Sequence, residues 1–418
     1  MKFMEKLRYD KVLFIGSFAH GKFLDELVAN KVYTQFAANT VEKYYIDGFS
    51  KELGLDVEVL SALVTVPYPH IMQKNIKADV TMYEQIKITN VGFRNSPYIN
   101  QISQGKSIKR FVREWVKKNN QKKILVVVYA LRIAFLKAAM CIKKSIPDAT
   151  VICIVPDLPQ YMHGNVSSVH KLVYSINSLV IDKLRAKIDG YILYTQSMAE
   201  ALSLGDKPWT VIEGIFDQAK LKKLNLENEV KENGKFIFFY GGGLTEEYGL
   251  KLLVDGFQLA NIEDAELHIY GNGTFAEQLN TYTKKNPAIR YFGSVAPDII
   301  MSKMIKADVL VNPRPSTDAF TRYSCPSKVI EYMATGKAAL ITKLAGIPDD
   351  YFDYVYTIDE ETVQGMADAM RKVRLESEEK RIQKGIQAQK YICSNKSLKE
   401  QMKKVVSLLM EIENTINP

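Results

Sequence analysis

Residues 308–343, DVLVNPRPSTDAFTRYSCPSKVIEYMATGKAALITK, decide the fold of this chain. Apolar residues at 309–311 and 338–341 predict two buried strands, separated by a polar loop and a short helix. Pro326 is predicted as the first helical residue, because its φ is fixed and it has no N–H to leave unpaired. Gly336 is predicted to end the helix. A strand, a helix and a strand in succession are typical of a parallel α/β sheet.

The start of this predicted helix has the chemistry of a phosphate site. Ser324 or Cys325 can act as the N-cap. Ser327, Lys328 and Glu331 then share one helix face. Unpaired N–H groups, the positive end of the helix dipole and a lysine together favour a phosphate, and a carboxylate one turn later suits the two hydroxyls of a ribose. The motif therefore indicates a nucleotide; the alternative is an ordinary strand–helix–strand unit with a charged outer face.

Three segments of this region, NPRP, PSKVIEYMATGK and LAGIPDDY, resemble the donor-binding half of family-four retaining glycosyltransferases. Within that family the chain looks most like enzymes that build bacterial capsular polysaccharides and exopolysaccharides. The resemblance runs from about residue 11 to the end and is strongest between 235 and 351. It implies the GT-B fold: an α/β architecture of two facing Rossmann-like domains with parallel sheets, and a C-terminal helix that crosses back to the first domain.

Length and composition are those of a globular protein with two domains. The chain has 418 residues, more than one core supports, and its 47% hydrophobic and 25% charged residues are typical of soluble proteins. We expect an acceptor-binding domain at 1–215, a nucleotide-sugar-binding domain at 216–395 and the returning helix at 396–418. The sequence predicts no transmembrane helix and no signal peptide. Four cysteines without zinc-type spacing fit a reducing cytosol.

Positive charge is concentrated in the first half of the chain. Residues 1–215 carry 29 basic and 19 acidic side chains, whereas residues 216–418 carry 27 and 28. The first half is therefore expected to meet an anionic partner. A membrane surface or a lipid diphosphate fits better than nucleic acid, since no nucleic-acid recognition module is found. The basic amphipathic helix predicted at 104–119 can lie on a membrane, or its apolar stripe can pack on the sheet while its basic face attracts anionic lipid, which we favour.

Two strand ends in the first half carry candidate site residues. The strand at 11–18 leads through Gly16 and Ser17 towards a helix, which is the phosphate-facing turn of a Rossmann-like unit without its GxGxxG pattern. The resemblance places this turn near the donor sugar and phosphates. Asp157 ends another strand and matches the place of a catalytic-side residue of the family that is commonly His, and His163 is a further candidate. A loop or helix-cap role between two prolines is the alternative for Asp157.

Glycine-containing turns recur at strand ends in the second half. YGGGLTEEYG (240–249) puts three glycines at a helix start, where backbone can approach phosphates closely. YGNG (270–273) and FGSV (292–295) occupy equivalent strand ends, and the resemblance places such turns under the nucleotide base. The full set of predicted donor-binding residues is Gly16, Ser17, Gly242, Gly243, Tyr270, Asn272, Gly273, Val295, Ser324, Pro326, Ser327, Lys328 and Glu331.

Two departures from the family pattern concern the donor site. Tyr323 stands where the family usually has the first glutamate of an E-x7-E segment. Gly243 and Tyr248 stand where it usually has an arginine and a lysine that bind the pyrophosphate. We expect Arg314 and Lys328 to replace these cations. The predicted catalytic residues are Asp157, Arg314, Lys328 and Glu331.

The resemblance implies a retaining hexosyltransferase that needs no metal or other cofactor and uses a nucleotide-sugar, expected to be a UDP-sugar. The expected acceptor is a lipid-linked oligosaccharide of cell-surface polysaccharide synthesis. The expected location is the cytoplasm, peripherally attached to the inner face of the plasma membrane, with an anionic membrane surface as partner. Two alternatives stay open: a nucleotide-sugar 2-epimerase of the same fold, and a non-catalytic accessory or binding relative.

Overall fold

The computed structural model describes residues 7–32, 35–97, 99–158, 168–218, 234–317 and 319–416. The chain divides into a first unit, Met1–Ile215 with Leu398–Pro418, and a second unit, Phe216–Ser397. Each unit is built on a sheet of mostly parallel strands. The predicted linker at 218–234 lies almost wholly outside the described residues.

Strands and helices alternate along the chain. The strands are β1 Lys11–Gly16, β2 Val57–Ser61, β3 Asn75–Ile76, β4 Asp79–Tyr83, β5 Ile86–Asn90, β6 Phe93–Arg94, β7 Ile124–Tyr129, β8 Thr150–Val155, β9 Gly190–Leu193, β10 Trp209–Val211, β11 Phe236–Gly243, β12 Ala265–Asn272, β13 Ile289–Tyr291, β14 Val309–Asn312, β15 Ala338–Thr342 and β16 Tyr356–Ile358. The helices are α1 Gly21–Ala29, α2 Phe36–Asp47, α3 Ile99–Asn119, α4 Ile133–Ser145, α5 Ser168–Arg185, α6 Ser197–Ala201, α7 Leu250–Ala260, α8 Ala276–Lys285, α9 Pro297–Lys306, α10 Ser327–Ala334, α11 Val363–Leu375, α12 Glu378–Asn395 and α13 Leu398–Ile416.

The first unit contains an eight-stranded sheet in the order β10-β9-β8-β7-β1-β2-β5-β4. Its central strands β1, β7 and β8 are apolar runs with almost every residue buried, as expected where helices cover both faces of a parallel sheet. Only the edge strand β4 is antiparallel, because it forms a hairpin with β5. The hairpin of β4 and β5 supplies this edge.

The C-terminal helix α13 returns to the first unit, as predicted. It follows the second unit in sequence, yet Met402, Leu409 and Ile412 are buried in the same core as β1 and β7. Gly190, at the start of β9, leaves the space that the Ile412 side chain fills. The Lys404 ammonium also donates to the Val211 carbonyl at 3.0 Å, next to the end of β10.

The second unit contains a six-stranded, wholly parallel sheet in the order β13-β12-β11-β14-β15-β16. Strand β11 continues to Gly243, because Gly241–Gly243 stay paired with Tyr270–Asn272 of β12. Helix α10 begins at Ser327, one residue later than predicted. Pro326 is its N-cap, since a ψ of 117° keeps this residue extended and outside the helix.

The basic helix α3 packs its apolar stripe onto the first unit. Ile108, Val112 and Trp115 are buried, and the Trp115 indole N–H donates to Glu58 on β2 at 2.9 Å. Six cationic side chains of this helix are exposed: Lys106, Lys109, Arg110, Arg113, Lys117 and Lys118. The structure therefore supports the interpretation in which the stripe is core and the charged face meets solvent. Across the described ranges, none of the helices is both long and apolar enough to cross a membrane.

Candidate functional site

The candidate site of the second unit lies at the carboxyl ends of the neighbouring strands β11 and β14. These two strands pair in parallel, so the glycines that end β11 and the Asn312–Arg314 segment after β14 lie at the same edge of the sheet. Ligand sites of open α/β sheets collect at this edge. Helix α10, which follows β14 in sequence, is fastened to the same edge, because Tyr332 Oη accepts the Gly241 N–H at 3.0 Å.

Lys328 reaches from the first turn of α10 across Gly242. A Cβ added at Gly242 would overlap Lys328 Cε and would lie 2.7 Å from its Nζ and 3.0 Å from Tyr240 Oη. Gly242 is thus required by the close approach of the lysine to the backbone. Burial lowers the pKa of Lys328, and the nearby Glu331 carboxylate opposes that shift. In the part of the chain that the structure describes, Lys328 has no ion-pair partner. An anionic ligand would therefore offset the free-energy cost of desolvating its ammonium.

Arg314 lies at the same edge, held between two aromatic rings. Its guanidinium is 5.2 Å from the Tyr248 ring centroid and 4.6 Å from that of Phe320. Burial raises the pKa of Tyr240, and the charge of Arg314 acts against that rise, so the two side chains are close. Arg314 and Lys328 therefore both border Tyr240. Asp318, which is four residues after Arg314 and is an alternative ion-pair partner for it by sequence, lies outside the described residues.

The first turn of α10 offers free donors at this edge. The backbone N–H groups of Ser327 and Lys328 form no hydrogen bond with any residue in the described ranges. Among the described residues no side chain caps the helix. Neither predicted N-cap, Ser324 or Cys325, takes that position, which belongs to Pro326, and the Ser324 carbonyl packs against Gly346. Unpaired N–H groups at a helix start form an anion site.

Glu331 follows one turn after the start of α10. Its carboxylate is half-buried and forms no hydrogen bond or ion pair with a described residue. As predicted, Ile330, Met333 and Ala334 are buried on the opposite side of the helix. The helix therefore presents Glu331 beside Lys328, in the arrangement that suits a ribose next to a phosphate.

The ends of β12 and β13 carry the remaining predicted residues of the second unit. Tyr270 is buried between the Phe239 and Phe292 rings, whose centroids are 5.2 and 4.6 Å from its own. Asn272 is exposed and accepts the Gly273 N–H at 2.9 Å. Phe292, which the sequence analysis did not select, is 38% exposed and offers a ring face braced by Tyr270. The sequence feature that could have identified Phe292 is its position directly before the glycine of FGSV.

In the first unit, the turn after β1 is filled by a carboxylate of the protein itself. Ser17 donates its backbone N–H and its hydroxyl to Glu42 of α2, at 2.8 Å to Oε2 and 2.6 Å to Oε1. Gly16 has no room for a Cβ because Oε2 occupies that position. These donors of Ser17 are therefore not open to a donor phosphate, contrary to what the strand–glycine pattern led us to expect.

Asp157 lies two residues beyond the end of β8, with an exposed side chain. Burial raises the pKa of Tyr194, after β9, and the charges of Asp157 and Glu42 raise it further. The structure thus brings Asp157 and Glu42 to one edge of the first sheet. The further candidate His163 lies outside the described residues.

The second unit also has a sequence relationship. Residues 235–374 match the model of the family described as Glycosyl transferases group 1. Over these residues the second unit is similar to that family. This match covers about a third of the chain, spans β11 to α11 and includes all the site residues described on α10 and β11. The prediction that this chain is a glycosyltransferase is confirmed for the class of enzyme. No curated protein matches the chain significantly.

Solved structures confirm the predicted GT-B fold over almost the full length. The chain is similar to α,α-trehalose 6-phosphate synthase of Burkholderia multivorans, with a TM-score of 0.66, 11% identity, and 98% of this chain and 100% of that chain covered. It is also similar to the lipopolysaccharide outer core galactosyltransferase WaaB (0.61, 14%, 96% and 99%). A third is Anabaena HepE in complex with UDP (0.57, 15%, 97% and 99%). At these identities the likeness shows the fold.

Sequence reasoning missed several residues that lie at the carboxyl ends of the strands, in the first unit and in the second. Glu42 is one, because it is 25 positions from Ser17 and no motif joins them. Arg132, which faces Glu42, and Phe320, which faces Arg314, were missed for the same reason. Glu42 is four positions from both Ala38 and Ile46, and a glutamate at this spacing on an apolar helix face was the available signal.

Proposed function

We propose that this protein is a retaining, metal-independent glycosyltransferase that moves a hexose from a UDP-sugar to a lipid-linked oligosaccharide of cell-surface polysaccharide synthesis. The observation that carries the proposal is the half-buried Lys328, whose ammonium lies across Gly242 beside the open N-terminus of α10. A partly desolvated cation without an ion-pair partner among the described residues, next to free backbone donors, favours a diphosphate. The family match of residues 235–374 agrees with that function.

In the proposed donor complex, the diphosphate lies at the start of α10. Lys328 and the N–H groups of Ser327 and Lys328 bind one phosphate, and Arg314 supplies a planar fork for its oxygens. Glu331 accepts the two ribose hydroxyls. The base lies over the end of β12 and the exposed face of Phe292. UDP is the proposed nucleotide because solved structures of similar fold contain it, such as HepE in complex with UDP and glucose.

During transfer, the bond between the anomeric carbon and the diphosphate oxygen breaks while the acceptor oxygen bonds to the same face of that carbon. The acceptor proton passes to an oxygen of the departing diphosphate. Negative charge therefore grows on the diphosphate towards the transition state. Arg314 and Lys328 stabilise this charge as a bound metal would do in another enzyme. Asp157, on the first unit, is the proposed residue at the sugar.

The acceptor and the membrane partner are proposed from the charge of the first unit. The six exposed cations of α3 form one basic surface. A second basic surface surrounds a cavity of about 690 Å³, which lies at the opposite edge of the sheet from Ser17. Its lining includes Lys137, Lys143, Lys144, Lys187 and Lys207, together with Asp189, which forms an ion pair with Lys143. Each Lys or Arg near an anionic membrane contributes about 1 kcal/mol, so these surfaces support peripheral attachment, where a lipid-linked acceptor resides. The resemblance in fold to a lipopolysaccharide galactosyltransferase is compatible with such an acceptor.

The test begins with a thermal-shift panel of nucleotide-sugars, since a bound donor raises stability as RT ln(1 + [L]/Kd). The stabilising donor is then incubated with a membrane lipid extract, and transfer of labelled sugar to lipid is measured. We expect transfer by the wild type and by Lys372→Met, an exposed control on α11, and none by Lys328→Met. Rapid C2 isomerisation of the donor without acceptor would instead identify an epimerase. Donor binding without transfer or hydrolysis would identify an accessory protein.

A further inference from the structure

The turn after β1 contains a charge that the proposed reaction does not use. Glu42 is 0% exposed, and its carboxylate accepts the N–H and the hydroxyl of Ser17. Consecutive N–H groups after a strand form a concavity that commonly binds an external anion. Here the side chain of α2 occupies the concavity, and Gly16 lacks a Cβ where the carboxylate lies.

The groups that face Glu42 come from three other elements. Arg132 follows β7, and its charge favours the ionised carboxylate. Tyr129, at the end of β7, and Tyr194, after β9, are buried phenols whose pKa values are raised by burial and further by the charge of Glu42. Burial raises the pKa of Glu42 to about 7, against the opposing effects of the Ser17 donors and Arg132. Ionised and neutral forms therefore exchange near neutrality.

We propose that Glu42 is the internal anion of this turn: its carboxylate takes the donors that a ligand phosphate would take, and so positions the backbone of Gly16 and Ser17. That this turn contacts substrate rests on the proposed function. In the ionised form, the Ser17 hydroxyl donates to Glu42. In the neutral form, the Glu42 hydroxyl donates to Ser17 Oγ, so the hydrogen bond reverses its direction. Glu42 is a positioning residue, and the donor diphosphate is bound by the second unit.

The simplest alternative is that Glu42 only fills space in the core. A space-filling role would be sensitive to side-chain volume and insensitive to added anions or to the ionisation of this carboxyl. An internal anion, in contrast, can be replaced by a small external anion once its side chain is removed. The two roles therefore predict different responses of the same variants.

The deciding experiment titrates the full chain with formate, which can occupy the emptied concavity. Thermal unfolding is followed by the fluorescence of the chain's two tryptophans, Trp115 and Trp209, which both lie in the first unit. Formate should raise the midpoint of Glu42→Ala by several degrees beyond its effect on the wild type. Glu26→Ala, which removes an exposed carboxylate of α1 in the first unit, should respond as the wild type does. An equal effect on all three proteins would overturn the internal-anion role.

The second readout is the pH profile of transfer, which needs only Glu42→Gln, an isostere with an amide in place of the acid. The wild-type kcat/KM should fall as pH drops through about 7, whereas Glu42→Gln should be reduced at least tenfold at pH 8 and lack that inflection. An unchanged inflection in Glu42→Gln would overturn the positioning role. If no donor supports transfer, the proposed function fails, while the formate titration still decides whether Glu42 is the internal anion.

Discussion

Replacement of Glu42 by glutamine should change the stability of the first unit in a way that depends on pH. The folded protein has a Glu42 pKa of about 7, raised by burial from an ordinary value of 4.5. The folded state binds this proton more tightly than the unfolded state. The stability that the neutral acid contributes is therefore fully present below pH 4.5 and is lost as the pH rises through 7. One pKa unit corresponds to about 1.4 kcal/mol. Between pH 5 and pH 8 the wild type should therefore lose roughly 2–3 kcal/mol relative to Glu42→Gln.

Urea denaturation at pH 5, 6.5 and 8 measures this difference directly. Trp115 and Trp209 report the first unit alone, so unfolding of the second unit does not enter the signal. The denaturation midpoints of the two proteins should approach each other at pH 5 and separate at pH 8, with Glu42→Gln the more stable. Glu26→Gln, at an exposed position of α1, serves as the control for loss of a carboxylate elsewhere in the unit. Parallel pH curves for wild type and Glu42→Gln, or a wild type that gains stability towards pH 8, would refute the reasoning.

Three further outcomes are expected. Glu331→Ala should weaken nucleotide binding by roughly 1.5–3 kcal/mol, the value of a hydrogen bond to a charged group, and an unchanged calorimetric affinity would contradict the ribose contact. Arg314→Ala should lower kcat about a hundredfold or more, while the loss of its two ring contacts should cost only about 1 kcal/mol of stability. Adding Lys328→Ala should cost less than the sum of the single effects if both bind one oxygen cluster. A near-normal kcat with the correct donor and acceptor would remove Arg314 from the mechanism. The protein should sediment with anionic but not neutral vesicles, and salt should release it. Charge reversal at Lys109 and Arg113 should reduce this sedimentation more than charge reversal at Lys372. Salt-insensitive binding, or equal binding to both vesicle types, would show that charge has no part in attachment.

Much of the fold could be predicted because it depends on local patterns. The strands β1, β7, β8 and β14 are short, continuous apolar runs between polar segments, as buried parallel strands must be. The return of α13 followed from the family resemblance, and its helical apolar stripe agreed with that prediction. The sequence also placed Lys328 and Glu331 on one helix face, since their spacing fixes this once the helix is recognised.

Other features could not be predicted because they depend on contacts between distant residues. The pairing of Glu42 with Ser17 arises from the packing of α2 against β1, which no spacing encodes. The aromatic rings around Arg314 come from a turn before α7 and a loop after β14, and only the folded sheet joins them. The shift of the α10 start arose for a different reason: Pro326 satisfies the sequence rule for the first helical position, but its extended ψ makes it the cap.

The central claim is that Lys328, beside Gly242 and the start of α10, binds the diphosphate of the donor. Calorimetric titration of UDP, and of the other nucleoside diphosphates, into the wild type and Lys328→Met tests it most directly, with Lys372→Met as control. A hydrogen bond to a charged group contributes roughly 1.5–3 kcal/mol, so the account predicts that Kd for the best diphosphate rises about tenfold or more in Lys328→Met and is unchanged in the control. Equal affinity in Lys328→Met and the wild type would contradict the account.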